Sequence, residues 1–419
     1  MKRVVGLVVM MAWLVPVWLY GQGYLSFRYE REQIIRSAKF KIGPFRFYPT
    51  IRLRDIGYDS NVYYQNKAEG PTSDFTGTIS PQVKVYFLFH NYLILSLSEN
   101  PEYVYYFKQK KERGWNNTLS PEIKLLLLNR FVLSGSYSTR NRRYRATPEF
   151  NVRVSEHRQG YKGSLFYESA RSTSFGISVS SEEILYEDIR MGAEELYLSR
   201  WLNRKEQEAS LEFYYRIFSE SFFFLRGGYK EYNFKHPLYH WRDAYSYQAY
   251  AGIRFPFLGR IRGALSLGYK QFVPREKDKK GFSGLVGNTG IDFRVSRFFL
   301  RLRYNRDCYF SYWSDNIIFI ENRWGTGISF YLTKFLRLDY DFSYGEANYP
   351  EVMFLWLPDG SYEEILRKDI YHIHTAGFVI RIIRNTGIGL MVNYWKRDSN
   401  YYWETRDRMF VGGFVTYEF

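Results

Sequence analysis

The stretch Lys334-Phe335-Leu336-Arg337-Leu338-Asp339-Tyr340-Asp341-Phe342-Ser343-Tyr344 decides how the whole chain is read. Leu336, Leu338, Tyr340, Phe342 and Tyr344 fall on one side, and Phe335, Arg337, Asp339, Asp341 and Ser343 on the other. Strict alternation marks a strand with two unlike faces. The same reading of Phe299 to Arg306 sets Leu300, Leu302 and Tyr304 against Arg301, Arg303 and Asn305. In Gly259 to Gln271, Ile261, Leu265, Leu267 and Tyr269 oppose Arg260, Arg262, Ser266 and Lys270.

Such faces need two different solvents. Composition points to lipid on one side, because 419 residues with 20% aromatics and 40 tyrosines combine with a mean hydropathy of -0.40. Membrane helices would be far more apolar. An outer-membrane barrel needs aromatic girdles and a polar interior, which is this balance. An Arg or Lys facing mid-bilayer costs about 2 to 4 kcal/mol, so the charged face lines a lumen. The net charge of +16 is spread singly along alternating segments and not blocked together, which argues against nucleic acid as a partner.

The connections come in two alternating kinds. Short turns fall at His90-Asn91, Asn129-Arg130, Ala170 to Thr173, Ser219-Glu220, Pro256 to Gly259, Ser296-Arg297, Thr333-Lys334 and Arg384 to Thr386. Longer loops fall at Tyr58 to Thr72, Lys108 to Gly114, Arg140 to Arg153, Asp188 to Arg204, Phe234 to Asp243, Pro274 to Gly281, Asp307 to Asp315, Ala347 to Lys368 and Arg397 to Arg406. Short periplasmic turns and long extracellular loops are the barrel pattern. The segments between them predict an all-β, up-and-down antiparallel transmembrane barrel of about eighteen strands, with sixteen as the alternative. A repeat of roughly forty residues with two long strands each excludes a propeller, whose blades carry four short ones.

Both chain ends carry signals. Lys2 and Arg3 precede an apolar run from Val4 to Tyr20, and Gly21 and Gly23 follow, which reads as a secretory signal peptide over 1–21. A short periplasmic segment is expected over 22–43 and the barrel over 44–419. At the far end Met409, Val411, Gly413, Val415, Tyr417 and Phe419 share one face and finish in a C-terminal Phe. Val415, Tyr417 and Phe419 are read as the signal by which the barrel assembly machinery takes up its substrates. The sole cysteine, Cys308, has no partner for an intramolecular disulfide.

At the first strand, Gly43-Pro44-Phe45-Arg46-Phe47 and Pro49 lead into Arg54-Asp55-Ile56-Gly57-Tyr58-Asp59-Ser60-Asn61-Val62-Tyr63, then Ser73-Asp74-Phe75 and Ile79-Ser80-Pro81. Over these thirty or so residues the chain resembles the opening hairpin of a family of outer-membrane β-barrel porins. Members of that family accompany exopolysaccharide or capsule export systems, so the resemblance implies a barrel and a link to sugar-polymer export. Asp59 and Asn61 sit in its outer loop, either as a cation or sugar contact or as Asx caps of the turn, and the caps are favoured.

Few residues invite catalysis. His236 and His240 have a spacing that suits two metal ligands on a helix, but Pro237 between them reads as an irregular loop. His372 and His374 share a strand face of ambiguous direction, and no third ligand accompanies them. Gly-x-Ser-x-Gly and phosphate-binding loops are absent from the sequence. The chain is therefore read as a non-enzyme without metal or other cofactor.

The polar strand faces carry Arg226, Lys230, Arg254, Arg262, Lys270, Arg294, Arg301, Arg303 and Arg337, interleaved with Asp292, Asp339, Asp341, Glu208 and Glu212. Two readings stay open: a wall that concentrates anions in a pore, or charges paired between strands that hold the barrel together. Tyr86, Tyr214, Tyr250 and Tyr331 fall among them, where sugar rings could stack. The expected function is a channel in the lipid of the outer membrane, passing a hydrophilic solute such as a small anion, an anionic sugar or a polysaccharide. The alternative is a closed barrel acting through its outer loops as an adhesin or scaffold.

Overall fold

A computed structural model describes residues 26–145, 149, 153–169, 173–191, 194–218, 221–258, 260–313, 316–356, 361–383 and 386–418. The expected signal peptide over 1–21 and Phe419 lie outside this set. Among the described residues the chain forms a closed barrel of eighteen antiparallel strands, the number the alternating segments predict. In order these are β1 Phe45–Asp59, β2 Asp74–Phe89, β3 Leu93–Glu99 continued by Glu102–Tyr106, β4 Gly114–Leu127, β5 Phe131–Tyr144 and β6 Val154–Glu168. Then follow β7 Thr173–Tyr186, β8 Arg204–Phe218, β9 Ser221–Phe234, β10 Ala244–Leu258, β11 Ile261–Pro274 and β12 Phe282–Val295. The last six are β13 Phe298–Phe310, β14 Ile318–Tyr331, β15 Leu336–Trp356, β16 Tyr362–Ile383, β17 Thr386–Ser399 and β18 Arg406–Glu418. Pairing of β1 with β18, from Thr50↔Glu418 to Asp59↔Phe410, closes the sheet and leaves no long free edge.

Closure brings two backbones very near each other. An added Cβ at Gly57 would overlap the backbone of Val411 and Gly412, so the seam needs glycine there. Below the seam β18 ends before β1 does, and the short strand Phe40–Ile42 turns at Gly43 (φ 53°) to pair with Phe45–Phe47, covering that remaining edge. Tight turns along the same rim use the same left-handed region, as at Leu128 and Asn129 (φ 48° and 59°).

The faces separate as alternation requires. Leu338 and Tyr340 are exposed on the outer wall while Asp339 between them is buried. Rings stack along the rim of short turns, as in Phe45 with Phe87 at 5.1 Å, Phe131 with Tyr167 at 5.2 Å and Phe298 with Phe330 at 4.7 Å. A second set lies toward the loops, including Tyr58 with Phe75 at 5.5 Å and Tyr103 with Trp115 at 5.0 Å. Two aromatic belts around an apolar band are the girdles of a membrane barrel.

Three local expectations change. The loop expected over 347–368 is mostly strand: β15 and β16 run on as a hairpin, so that β15 alone spans roughly 70 Å, more than the bilayer needs. Its acidic residues and Pro350 mimic a loop, but above the membrane strands tolerate charge, and the ladder absorbs Pro350 by slipping register between Asn348 and Val352. His372 and His374 point to the lipid side, since both rings pack on Phe342 and His374 Nδ1 lies 3.0 Å from the Tyr340 hydroxyl. Within the expected periplasmic segment, Phe27–Ser37 forms a helix, α1, which the sequence reading missed.

Candidate functional site in the barrel interior

Helix α1 begins at Ser26, whose Oγ accepts from Tyr29 N, and it buries Phe27 and Ile34, seven residues apart on one face. These two pack with Leu88, Ile94, Leu126, Val132, Phe166 and Tyr214. All six alternate with exposed outward residues such as Ile123, Leu127 and Leu133, and all lie near the short turns. The helix is therefore seated inside the barrel at its short-turn mouth. Polar contacts hold it there: Glu30 meets Lys124 at 2.8 Å, Phe27 N–H donates to Glu168, Arg31 Nε donates to His90 O, and the Tyr48 hydroxyl donates to Ile34 O. Tyr86 packs against the same cluster.

Above α1 the wall carries paired charges. Arg226 meets Glu208 at 2.6 Å, Lys230 meets Glu206 at 2.7 Å, and Arg337 meets Asp339 at 2.9 Å. Some pairs skip a strand. Lys270 on β11 reaches Asp307 on β13 at 2.8 Å, past Gly284 on β12; Arg301 on β13 reaches Asp341 on β15 at 3.0 Å, past Gly327 on β14. At Gly327 the missing side chain is what leaves room, since a Cβ there would overlap both Asp341 Oδ1 and Arg301 Nε. Asp292 receives two cations, Arg262 at 2.9 Å and Arg303 at 2.6 Å. Both arginine side chains keep solvent contact, at 45% and 41% exposure, so this point of the wall is a net positive site facing water. Arg254 lies within electrostatic reach of Tyr214 and of Tyr29 in α1, and Arg294 is exposed near the short-turn rim. Hydroxyls also meet across strands, Ser134 with Ser164 at 2.6 Å and Ser178 with Ser210 at 2.8 Å, the latter pair beside Glu212. Tyr250 packs in the cluster around Phe272 and Val286, and Tyr331 lies 5.9 Å under the Arg337 guanidinium.

At the loop end, two connections from nearly opposite walls meet. Glu149, between β5 and β6, accepts from Ser311 Oγ at 2.6 Å and from Tyr312 N at 3.1 Å, in the connection between β13 and β14. Buried Arg242 donates to the Ser311 carbonyl, and Arg367 lies over the rings of Trp313 and Tyr349 while forking onto Asp369 at 2.6 and 2.9 Å. Arg145 covers Tyr64 at 4.0 Å and Trp395 at 4.4 Å. Burial holds the Arg242 guanidinium down to about 10 and pushes the Glu149 carboxyl above its usual range. The sequence reading named none of these latch residues, because partners such as Arg242 with Ser311 and Glu149 with Ser311 stand 69 and 162 positions apart on different connections.

Asp59 and Asn61 act as caps in the first outer loop. Asp59 accepts from Asn61 N at 3.1 Å and takes the Arg408 fork at 2.7 and 2.8 Å, and Asn61 donates to Gln65 O and Asp407 O. His236 caps the short helix Pro237–Arg242 and His240 lies 3.2 Å from Asp243. Among the described residues no three His, Cys, Asp or Glu side chains gather as a metal site. Val415 and Tyr417 lie on β18, paired with Leu53 and Ile51 of β1 across the seam.

A wall of eighteen strands with an apolar exterior, two aromatic belts and a charged interior defines a transmembrane β-barrel of the outer-membrane class. No protein-family model matches the chain, and no curated protein matches it. Among solved structures it is similar to the outer membrane protein opdK from Pseudomonas aeruginosa, at 9% identity and a TM-score of 0.50, over 89% of this chain and 98% of that one. The same protein with vanillate gives 9% identity, 0.48, and the same coverage of 89% and 98%. The ferric enterobactin receptor of Pseudomonas aeruginosa gives 8% identity and 0.47, over 89% and 81%. At such identities the likeness speaks to the fold.

Proposed function

We propose that this protein is a non-enzymatic channel of the bacterial outer membrane, exported by its signal peptide, that passes hydrophilic anionic solutes and is held closed at both mouths in the state described. The observation that carries the reading is Asp292 between Arg262 and Arg303: two cations share one carboxylate, and both face water inside the barrel. Barrels of sixteen to eighteen strands are wide enough for an aqueous channel, and a positive wall in a confined lumen concentrates anions. Sugars fit the same interior, since Tyr250 and Tyr331 offer rings beside hydroxyl and guanidinium groups, and the opening hairpin resembles porins linked to exopolysaccharide export. Tyr86 and Tyr214 are covered by α1 and join that surface only when the helix leaves.

Reversal potentials in planar bilayers under a salt gradient test the reading. The open channel is expected to favour anions at low salt, with the preference fading as the Debye length falls to about 3 Å at 1 M. Replacing Arg262, Arg301, Arg303 and Arg337 by Gln should abolish it, and unchanged selectivity would leave these arginines a structural role only. A second reading, a closed barrel acting through its loops as adhesin or scaffold, is favoured by the Glu149 to Ser311 contact that joins opposite walls. Electrical silence that persists after removal of α1 and of Glu149, in a barrel that stays folded, would select it.

A further inference from the structure

The outer wall is not smooth. Between β11, β12 and β13 it holds a recess of about 380 Å³ lined by Leu267, Leu285, Val286, Gly287, Tyr304 and Arg306. Leu267, Gly287 and Arg306 form one row across the three strands, and Tyr269 with Leu285 forms the row nearer the loops. Leu267, Leu285 and Tyr269 are all more than half exposed, so the recess opens on the lipid side and not into the lumen. It exists because position 287 has no side chain: a Cβ there would sit 3.1 Å from Ser266 O and 3.7 Å from both Leu267 and Tyr304.

The recess is apolar except at one side, where Arg306 stands. Its Nε donates to Leu285 O at 3.0 Å and its Nη1 to Asn322 at 2.7 Å, which fixes the guanidinium against the wall. Asn322 is the next residue along the row, followed by Glu346, which Lys368 meets at 3.1 Å. Counting Arg306, Lys368 and Glu346, this belt carries one excess positive charge. It lies on the loop side of Tyr304 and Trp324, whose rings stack at 4.1 Å. Long loops face outward in such barrels, so the belt stands at headgroup level of the outer leaflet.

We infer that the recess binds one acyl chain of an outer-leaflet lipid whose phosphate headgroup is held by Arg306. An apolar notch open only to the bilayer is filled by hydrocarbon, because water there would face leucine and tyrosine. A fixed guanidinium at headgroup level supplies a charge-assisted, directional hold on phosphate. The Gly287 notch selects for a chain; the cation selects the headgroup.

Native mass spectrometry of the full barrel released from detergent tests this, with phosphatidylglycerol, phosphatidylcholine of the same chains, and inorganic phosphate as probes. The wild type should retain one phosphatidylglycerol in preference to phosphatidylcholine and no inorganic phosphate. Gly287→Leu should lower retention of both lipids about tenfold, the worth of roughly two methylenes of lost burial. Arg306→Gln should erase the headgroup preference while keeping a bound chain. Leu267→Phe, which narrows the recess from the other strand, repeats the first test where Gly287→Leu assembles poorly; heat-modifiable gel mobility reports folding of each variant. Equal retention in wild type, Gly287→Leu and Leu267→Phe overturns the inference, as does binding of inorganic phosphate alone with no lipid retained.

Discussion

Arg301 and Asp341 stand on strands that do not touch, yet they meet at 3.0 Å because Gly327, on the strand between, lets the guanidinium pass over its Cα. A Cβ at that glycine would overlap both Asp341 Oδ1 and Arg301 Nε. The charge pattern of this wall therefore depends on where glycine falls as much as on where arginine does.

Gly327→Val should separate the pair and leave the mostly buried Arg301 without the Asp341 carboxylate, while its bond to the Ser329 hydroxyl remains. Breaking a buried ion pair costs about 3 to 5 kcal/mol, and the solvent contact of Asp341 places this one at the lower end. The urea midpoint of the refolded barrel should fall accordingly, whereas Gly227→Ala, where nothing lies within 4 Å, should leave it nearly unchanged. Equal midpoints would mean the pair contributes nothing.

Leu338→Arg should block assembly, because Leu338 is exposed on the lipid side and a charge there costs about 2 to 4 kcal/mol near the midplane. Arg337→Leu should assemble, since Asp339 keeps the hydroxyl of Ser329 as a donor. Outer-membrane levels of the two variants compare the outcomes directly.

Deleting residues 26–38 should raise single-channel conductance, because it removes the helix seated in the short-turn mouth. Ile34→Asp should act in the same direction, as a carboxylate cannot remain in the cluster of Leu88, Ile94 and Leu126. Conductance equal to wild type in both variants would show that α1 does not obstruct the path.

The outer latch should weaken as pH rises. Burial raises the Glu149 carboxyl above its ordinary value, with Arg367 opposing, so the seated group binds its proton more tightly than the solvated one. Its contribution to closure is then complete below the ordinary carboxylate value of about 4.3 and is lost as pH rises through the seated value. Channel opening frequency should climb across that window in the wild type, and Glu149→Gln should flatten the dependence. A profile identical in the two proteins would remove Glu149 from the latch.

Alternation over Leu336 to Tyr344 was enough for strand, facing and membrane, because a side-chain period of two and the cost of charge in lipid leave one arrangement. The alternation of short and long connections likewise carried the count of eighteen, since each turn must return the chain through the bilayer. Only the tertiary structure decided what fills the lumen. Phe27 and Ile34 form too small a stripe to announce a seated helix, and they become one where six inward residues from six strands meet them. The pairing of Glu149 with Ser311, 162 positions away, depends on closure of the whole sheet, and that of Arg301 with Asp341 over Gly327, 40 positions away, on the register of three consecutive strands. Local pattern is set by the nearest neighbours along a strand, whereas contacts across a lumen exist only after the last strand has found the first.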